Sequence, residues 1–152
     1  MSPLKFVLRS AHRYRFSQIR KTMIKVFVAD DSSAMRAAIQ ILLEKQPDIR
    51  VVGEAADYDR TFRLLAGKEP DVLICDLLMP SGPKSQPIHV AELARACKCA
   101  VIAVTFAVPD AGVRRAAERL GAFRILDLTT QFATLVVAVR EAVEGSSSSA
   151  RA

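Results

Sequence analysis

The stretch Asp71-Val72-Leu73-Ile74-Cys75-Asp76-Leu77-Leu78-Met79-Pro80 decides how this chain is read. Residues 71–75 have the continuous apolar character of a buried strand, and the run then meets a carboxylate, Asp76, just where a Pro-containing loop begins. A lone Asp there would be read as a turn initiator. A second apolar run, Ile24 to Ala29, also ends in acid, Asp30-Asp31, so two predicted strands terminate in three carboxylates.

Outward from these two runs the chain alternates between strand and helix patterns. Ser32 and Ser33 are placed to cap a helix whose apolar positions Met35, Ala38, Ile39, Leu42 and Leu43 keep helical spacing, with Pro47 beyond its end. Residues 49–55 read as a second strand, and Phe62 and Leu65 as a short helix stopped by Gly67. Residues 79–87 are too rich in Pro and Gly for regular structure and read as a loop over the strand ends. Val90, Leu93, Ala94 and Cys97 mark a third helix. Residues 100–104 form a fourth strand ending at Thr105. Val113, Ala116, Ala117 and Leu120 mark a fourth helix closed by Gly121, residues 122–126 a fifth strand, and Phe132, Leu135, Val136, Val139 and Val143 a fifth helix.

Five strands alternating with helices predict an α/β flavodoxin-like (βα)5 three-layer sandwich, with a parallel sheet in the order 2-1-3-4-5. In that order the first and third strands are neighbours. Asp30, Asp31 and Asp76 then converge at the carboxyl-end crevice where such folds place their sites.

Composition narrows the function. At 152 residues and 51% hydrophobic content the chain suits one folded domain. No apolar run is long enough to span a bilayer. Cys75, Cys97 and Cys99 are odd in number and lack metal spacing, so reduced thiols and a cytoplasmic location are expected. The formal charge of +6 comes from residues 1–22, where Lys5, Arg9, Arg13, Arg15, Arg20 and Lys21 meet no acid. That extension, with Phe6, Tyr14 and Phe16 interleaved, is compatible with RNA, an anionic membrane or an organelle transit peptide. The plainer expectation is a disordered tail, or a start upstream of a true beginning at Met23. The domain is expected over residues 23–144, with a disordered Ser-rich tail over residues 145–152.

Carboxylates a few ångströms apart repel by about 4 kcal/mol per pair at an effective dielectric near 20, so the cluster must protonate or hold a cation. Oxygen ligands without His or Cys favour Mg²⁺, which keeps part of its water shell and bridges readily to phosphoryl oxygens.

With these residues in view, the chain from about Met23 to Glu144 resembles the receiver domain of bacterial two-component response regulators, such as the chemotaxis regulators. Val28-Ala29-Asp30-Asp31-Ser32 is similar to that family's acidic pair, and Asp76-Leu77-Leu78-Met79-Pro80 to its phosphoacceptor motif. Val104-Thr105 matches the hydroxyl position after the fourth strand, and Leu120-Gly121-Ala122 the turn before the fifth. The resemblance implies that Asp76 accepts a phosphoryl group from a histidine kinase, a phosphotransfer protein or a small donor. It also implies that Asp31, Asp76 and the Leu78 carbonyl ligate Mg²⁺, with Asp30 acting through water, and that Thr105 binds the phosphoryl oxygen. Target proteins would dock on the face of the fourth and fifth helices.

The departures are equally specific. The lysine that the family carries after the fifth strand is replaced by Leu128, and the aromatic switch three residues earlier by Ile125. Gly82 is not where the family's loop glycine stands. Lys84 or Arg124 is a candidate replacement cation, the plainer expectation being that each is an ordinary solvated residue. Three readings follow. The first is a stand-alone receiver with weakened switching and no enzyme activity, since little chain follows Glu144 for a DNA-binding or catalytic output domain. The second is a receiver-like interaction module that works unphosphorylated. The third is a metal-dependent phosphohydrolase with an Asp nucleophile, which the spacing of Asp30-Asp31-Ser32 does not favour.

Overall fold

The computed structural model describes residues 22–80, 93 and 96–149. Five parallel strands form one sheet in the order β2-β1-β3-β4-β5, as the alternating pattern predicts. They are β1 (Ile24–Ala29), β2 (Ile49–Ala55), β3 (Val72–Asp76), β4 (Ala100–Thr105) and β5 (Arg124–Asp127). The helices are α1 (Ser33–Glu44), α2 (Tyr58–Lys68), α3 (Ala111–Leu120), the short α4 (Leu128–Gln131) and α5 (Leu135–Ser149), with a 3-10 turn, Phe132–Thr134, between the last two.

Strand periodicity divides the core into two layers. Val26, Val28, Ile74, Ile102, Val104 and Leu126 point to one face of the sheet, where Ile39 and Leu43 of α1 and Leu135 and Val139 of α5 cover them. Their sequence neighbours Phe27, Ala29, Leu73, Cys75, Val101 and Ala103 point to the other, against Leu65 of α2 and Ala117 and Leu120 of α3. Every residue of β3 is buried, so Asp76 is carried into the interior by its own strand.

Local chemistry fixes most boundaries. Ser32, Asp57 and Asp110 cap α1, α2 and α3, each accepting a hydrogen bond from a first-turn amide. Gly121 ends α3 in the left-handed conformation with φ 68°.

Three boundaries differ from the sequence expectation. The second helix runs past Gly67 to Lys68 and is ended by Glu69 at φ 43°. Pro70 follows Glu69 and drives it out of the right-handed helical region. The fifth strand begins at Arg124, not Ala122, because the Ala122 amide is held by Ala117 O (2.9 Å) in the cap of α3. The closing helix continues beyond Glu144 to Ser149, where a tail was expected from residue 145. The Ser146 hydroxyl donates to Ala142 O (2.9 Å), and Gly145 lies against the Phe123 ring. The extension over residues 1–21, most of the loop after Pro80 and most of the predicted third helix lie outside the described residues; Leu93 and Ala96 are helical, and Leu93 is fully buried.

Candidate functional site

Parallel pairing of β1 with β3 sets Ala29 opposite Cys75, so the next residue of each strand, Asp30 and Asp76, emerges at the same end of the sheet. Asp31 follows Asp30 at the rim. Carboxylate oxygens of Asp30, Asp31 and Asp76 all lie within 4.8 Å of one another, with Asp30 and Asp76 buried and Asp31 exposed. The convergence read from the sequence is therefore present in the fold.

Backbone amides orient two of the three. Asp30 Oδ1 accepts from the Ser32 amide (2.8 Å), and Asp76 Oδ1 from the Leu78 amide (2.9 Å). The buried Tyr58 hydroxyl donates to the Asp76 carbonyl (3.3 Å), fixing the strand end behind the carboxylate. Asp30 Oδ2 is buried and finds no hydrogen-bond partner among the described residues. Burial pushes the Asp30 carboxyl up to about 6, helped by the charges of Asp76 and Asp31 and opposed by the Ser32 amide and Arg36. Asp76 is raised as well, by burial first, while the Leu78 amide pulls it down and Asp31 adds to the rise.

Two ionised groups 4.8 Å apart repel by about 3.5 kcal/mol at an effective dielectric of 20. Among the described residues no ion pair reaches any of the three carboxylates. An unpartnered buried oxygen, an oxygen-only donor set and negative charge that Arg36 offsets only in part together fit a hard divalent cation.

The other predicted residues divide. Thr105 lies one residue beyond Val104, the register partner of Asp76, and is 1% exposed; its hydroxyl accepts a long hydrogen bond from the Ala107 amide (3.4 Å). Leu78 stands in the turn after β3, its amide committed to Asp76. Leu128 opens α4 and is 5% exposed within the core layer of α1 and α5, so an aliphatic side chain fills the lysine position as part of the hydrophobic core. Ile125 packs on the opposite layer, against the cluster of α2 and α3. Arg124 does not replace the missing cation: it pairs with Glu141 of α5 (2.7 Å) and lies over the Phe123 ring. Lys84 and Gly82 lie outside the described residues.

One residue was missed in the sequence. Arg36, in the first turn of α1, donates from its Nη1 to the carbonyls of Asp30 (2.8 Å) and Asp31 (3.4 Å) and approaches Glu54 (3.4 Å). It clips the backbone of the acidic pair and brings positive charge beside Asp30. Its position one helical turn after the capping Ser32 was the available signal.

Comparison with known proteins gives the same picture. The sequence model of the response regulator receiver domain matches residues 26–140. The transcriptional regulatory protein LiaR of Bacillus subtilis is 34% identical over 125 residues, which is 81% of this chain and 57% of LiaR. A protein-glutamate methylesterase/protein-glutamine glutaminase of Geobacter metallireducens is 31% identical over 106 residues, or 64% of this chain and 30% of the enzyme. The chain thus spans little more than half of the first of these relatives and less than a third of the second. Among solved structures, the response regulator domain of Thermotoga maritima CheB superposes with a TM-score of 0.67 at 25% identity, covering 80% of this chain and 97% of that domain. The signal receiver domain of the response regulator NarL from Mycobacterium tuberculosis gives 0.66 at 26%, covering 82% and 98%. Receiver domains bind Mg²⁺ at an acidic pocket of the kind formed here by Asp30, Asp31 and Asp76. This chain belongs to the response regulator receiver domain family of two-component signalling.

Proposed function

We propose that Asp76 accepts a phosphoryl group from a histidine kinase, a phosphotransfer protein or a small phosphodonor, and that the domain signals by protein–protein contact in the cytoplasm without enzymatic activity of its own. The observation that carries this reading is the buried, amide-oriented Asp76 carboxylate with two further carboxylates within 4.8 Å. The Leu78 amide holds Oδ1 of Asp76 and leaves Oδ2 for in-line attack on phosphorus. Asp31, Asp76 and the Leu78 carbonyl would hold Mg²⁺, and Asp30 would support it through water. When bound, the cation neutralises charge on the transferring group. Burial and the charge of Asp31 raise the Asp76 carboxyl while the Leu78 amide opposes the rise, so a cation bound there would favour its ionised, nucleophilic form. Thr105 is the side chain at the adjacent strand end with a hydroxyl for a phosphoryl oxygen.

A second reading, an interaction module that works unphosphorylated, draws support from Leu128, which supplies core packing at the family's lysine position and no charge. One experiment separates the two. Incubation with acetyl phosphate and Mg²⁺ followed by intact-mass measurement is expected to show one phosphoryl adduct, absent in Asp76→Asn. No adduct in the wild type, under conditions that label a control receiver, favours the second reading.

A further inference from the structure

The three cysteines occupy two different environments. Cys75 is fully buried in β3, its thiol directed to the Asp76 carbonyl (3.6 Å), and burial drives it far above the usual thiol range, which leaves it inert. Cys97 and Cys99 are half-buried, and their Sγ atoms lie 2.8 Å apart across Lys98. The tripeptide is clamped at both ends: the Cys97 amide donates to Leu93 O (2.9 Å), and the Ala100 amide to Asp71 O (3.0 Å). Two cavities open on it. One of about 310 Å³ is lined by Leu65, Glu69, Pro70 and both cysteines, and one of about 770 Å³ by Asp71, Lys98, Cys99 and Phe123. A bonded pair of sulfurs sits at about 2.0 Å, so the observed contact is less than about 1 Å from bond formation.

We propose that Cys97 and Cys99 form a redox-active dithiol, which small-molecule disulfides reach through these cavities and oxidise to an intramolecular disulfide. Either thiol can donate across this contact, and the Cys97 thiol also lies 3.6 Å from the Cys99 carbonyl. With Cys99 as donor, the contact lowers Cys97 to about 7 and pushes Cys99 up, which makes Cys97 the attacking sulfur near neutral pH. The Cys97 thiolate attacks one sulfur of the small disulfide, whose S–S bond breaks and releases one thiolate to take up a proton. Cys99 then gives its proton to solvent, attacks the Cys97 sulfur of the mixed disulfide and expels the second small thiol. Two protein thiols are oxidised and one small disulfide is reduced to two thiols. The pair lies just before β4, whose rise from Ala100 to Thr105 is about 17 Å, so this chemistry is separate from the acidic pocket at the other end of the strand.

The test uses the full chain in glutathione redox buffers, quenched in acid and read by intact mass and tryptic mapping. Trypsin cuts after Lys98, between the two cysteines, so an internal disulfide leaves the two resulting peptides joined. Expected are the loss of two hydrogens from the intact protein, restored by dithiothreitol, and a glutathione adduct on Cys97 that persists only in Cys99→Ser. Residue 99 in Cys97→Ser is expected to react about tenfold more slowly. A lasting adduct in the wild type, a disulfide-linked dimer, a bond involving Cys75, or equal reactivity of the two single variants would overturn the proposal.

Discussion

The acidic pocket makes a coupled prediction about pH and divalent ion that centres on Asp30. Its carboxyl sits at about 6 in the folded protein against 3.8 for an ordinary aspartate, so the folded state binds this proton more tightly than the unfolded state does. The contribution favours folding below pH 3.8 and is lost as pH rises through about 6. The full difference corresponds to about 3 kcal/mol. Screening at the open rim beside Asp31 reduces it to about 1–2 kcal/mol. The metal-free protein is therefore expected to be less stable at pH 8 than at pH 5 on this account. A divalent cation should restore what is lost. For a dissociation constant of about 1 mM, 10 mM Mg²⁺ adds about 1.4 kcal/mol, or roughly 5 °C in Tm for a domain of this size. At pH 5 the response should fall to less than about half, because protons compete for Asp30. Asp30→Asn should raise the metal-free Tm at pH 8, since its amide donates towards Asp31 and Asp76 where a third charge stood, and should remove most of the Mg²⁺ response. Thermal melts at both pH values, with KCl matched for ionic strength, decide the matter. Equal Mg²⁺ shifts at pH 5 and pH 8, equal shifts in Asp30→Asn, or a shift reproduced by KCl would refute the reasoning.

Other outcomes follow from particular contacts. Gly53→Ala places a methyl group 2.8 Å from Cε2 of the buried Phe27 ring and is expected to cost about 2 kcal/mol, measured by urea denaturation. Arg36→Ala, which frees the carbonyls of Asp30 and Asp31, is expected to weaken Mg²⁺ binding several-fold in a melting titration while preserving the circular dichroism spectrum. Removing residues 1–21 is expected to leave Tm unchanged, because that basic segment contains no acidic partner for its charges.

The sheet order and the acidic cluster were legible because they rest on strong signals: continuous apolar runs for buried strands, and charge exactly where those runs stop. Helix ends were harder where two local rules competed. Gly67 reads as a stop, yet Pro70 places the stop at Glu69 instead, since a proline restricts the residue before it even when that residue is not glycine. The extent of α5 was hidden because Ser-rich sequence carries little helix preference of its own, and the helix there is continued from the packed turns before it. Arg36 and the Cys97–Cys99 contact escaped for a different reason. Each acts through the path of the backbone around it, and residue spacing does not specify whether a guanidinium will turn back on its cap or whether two thiols will face each other.

The position of Leu128 bears on how phosphorylation of Asp76 would be felt elsewhere. A ligand shifts a two-state equilibrium only by its differential interaction with the two states. Leu128 is held in the core layer of α1 and α5, and Ile125 packs on the layer of α2 and α3, so neither offers a polar contact to a new dianion at Asp76. Among the described residues Thr105 is then the main candidate lever; its hydroxyl accepts only a long 3.4 Å bond from the Ala107 amide and keeps its own proton to donate, so little is broken when it turns to a phosphoryl oxygen. The pull on the segment after β4 is correspondingly small. Hydrogen exchange over residues 105–140, with and without beryllofluoride as a phosphoryl mimic, should change protection by less than about threefold, on the scale of a single weak hydrogen bond. Thr105→Ala should abolish even that change, and Thr105→Ser should keep it. A large change in protection across α3 and α5, surviving in Thr105→Ala, would mean that the signal leaves Asp76 by a route other than this hydroxyl.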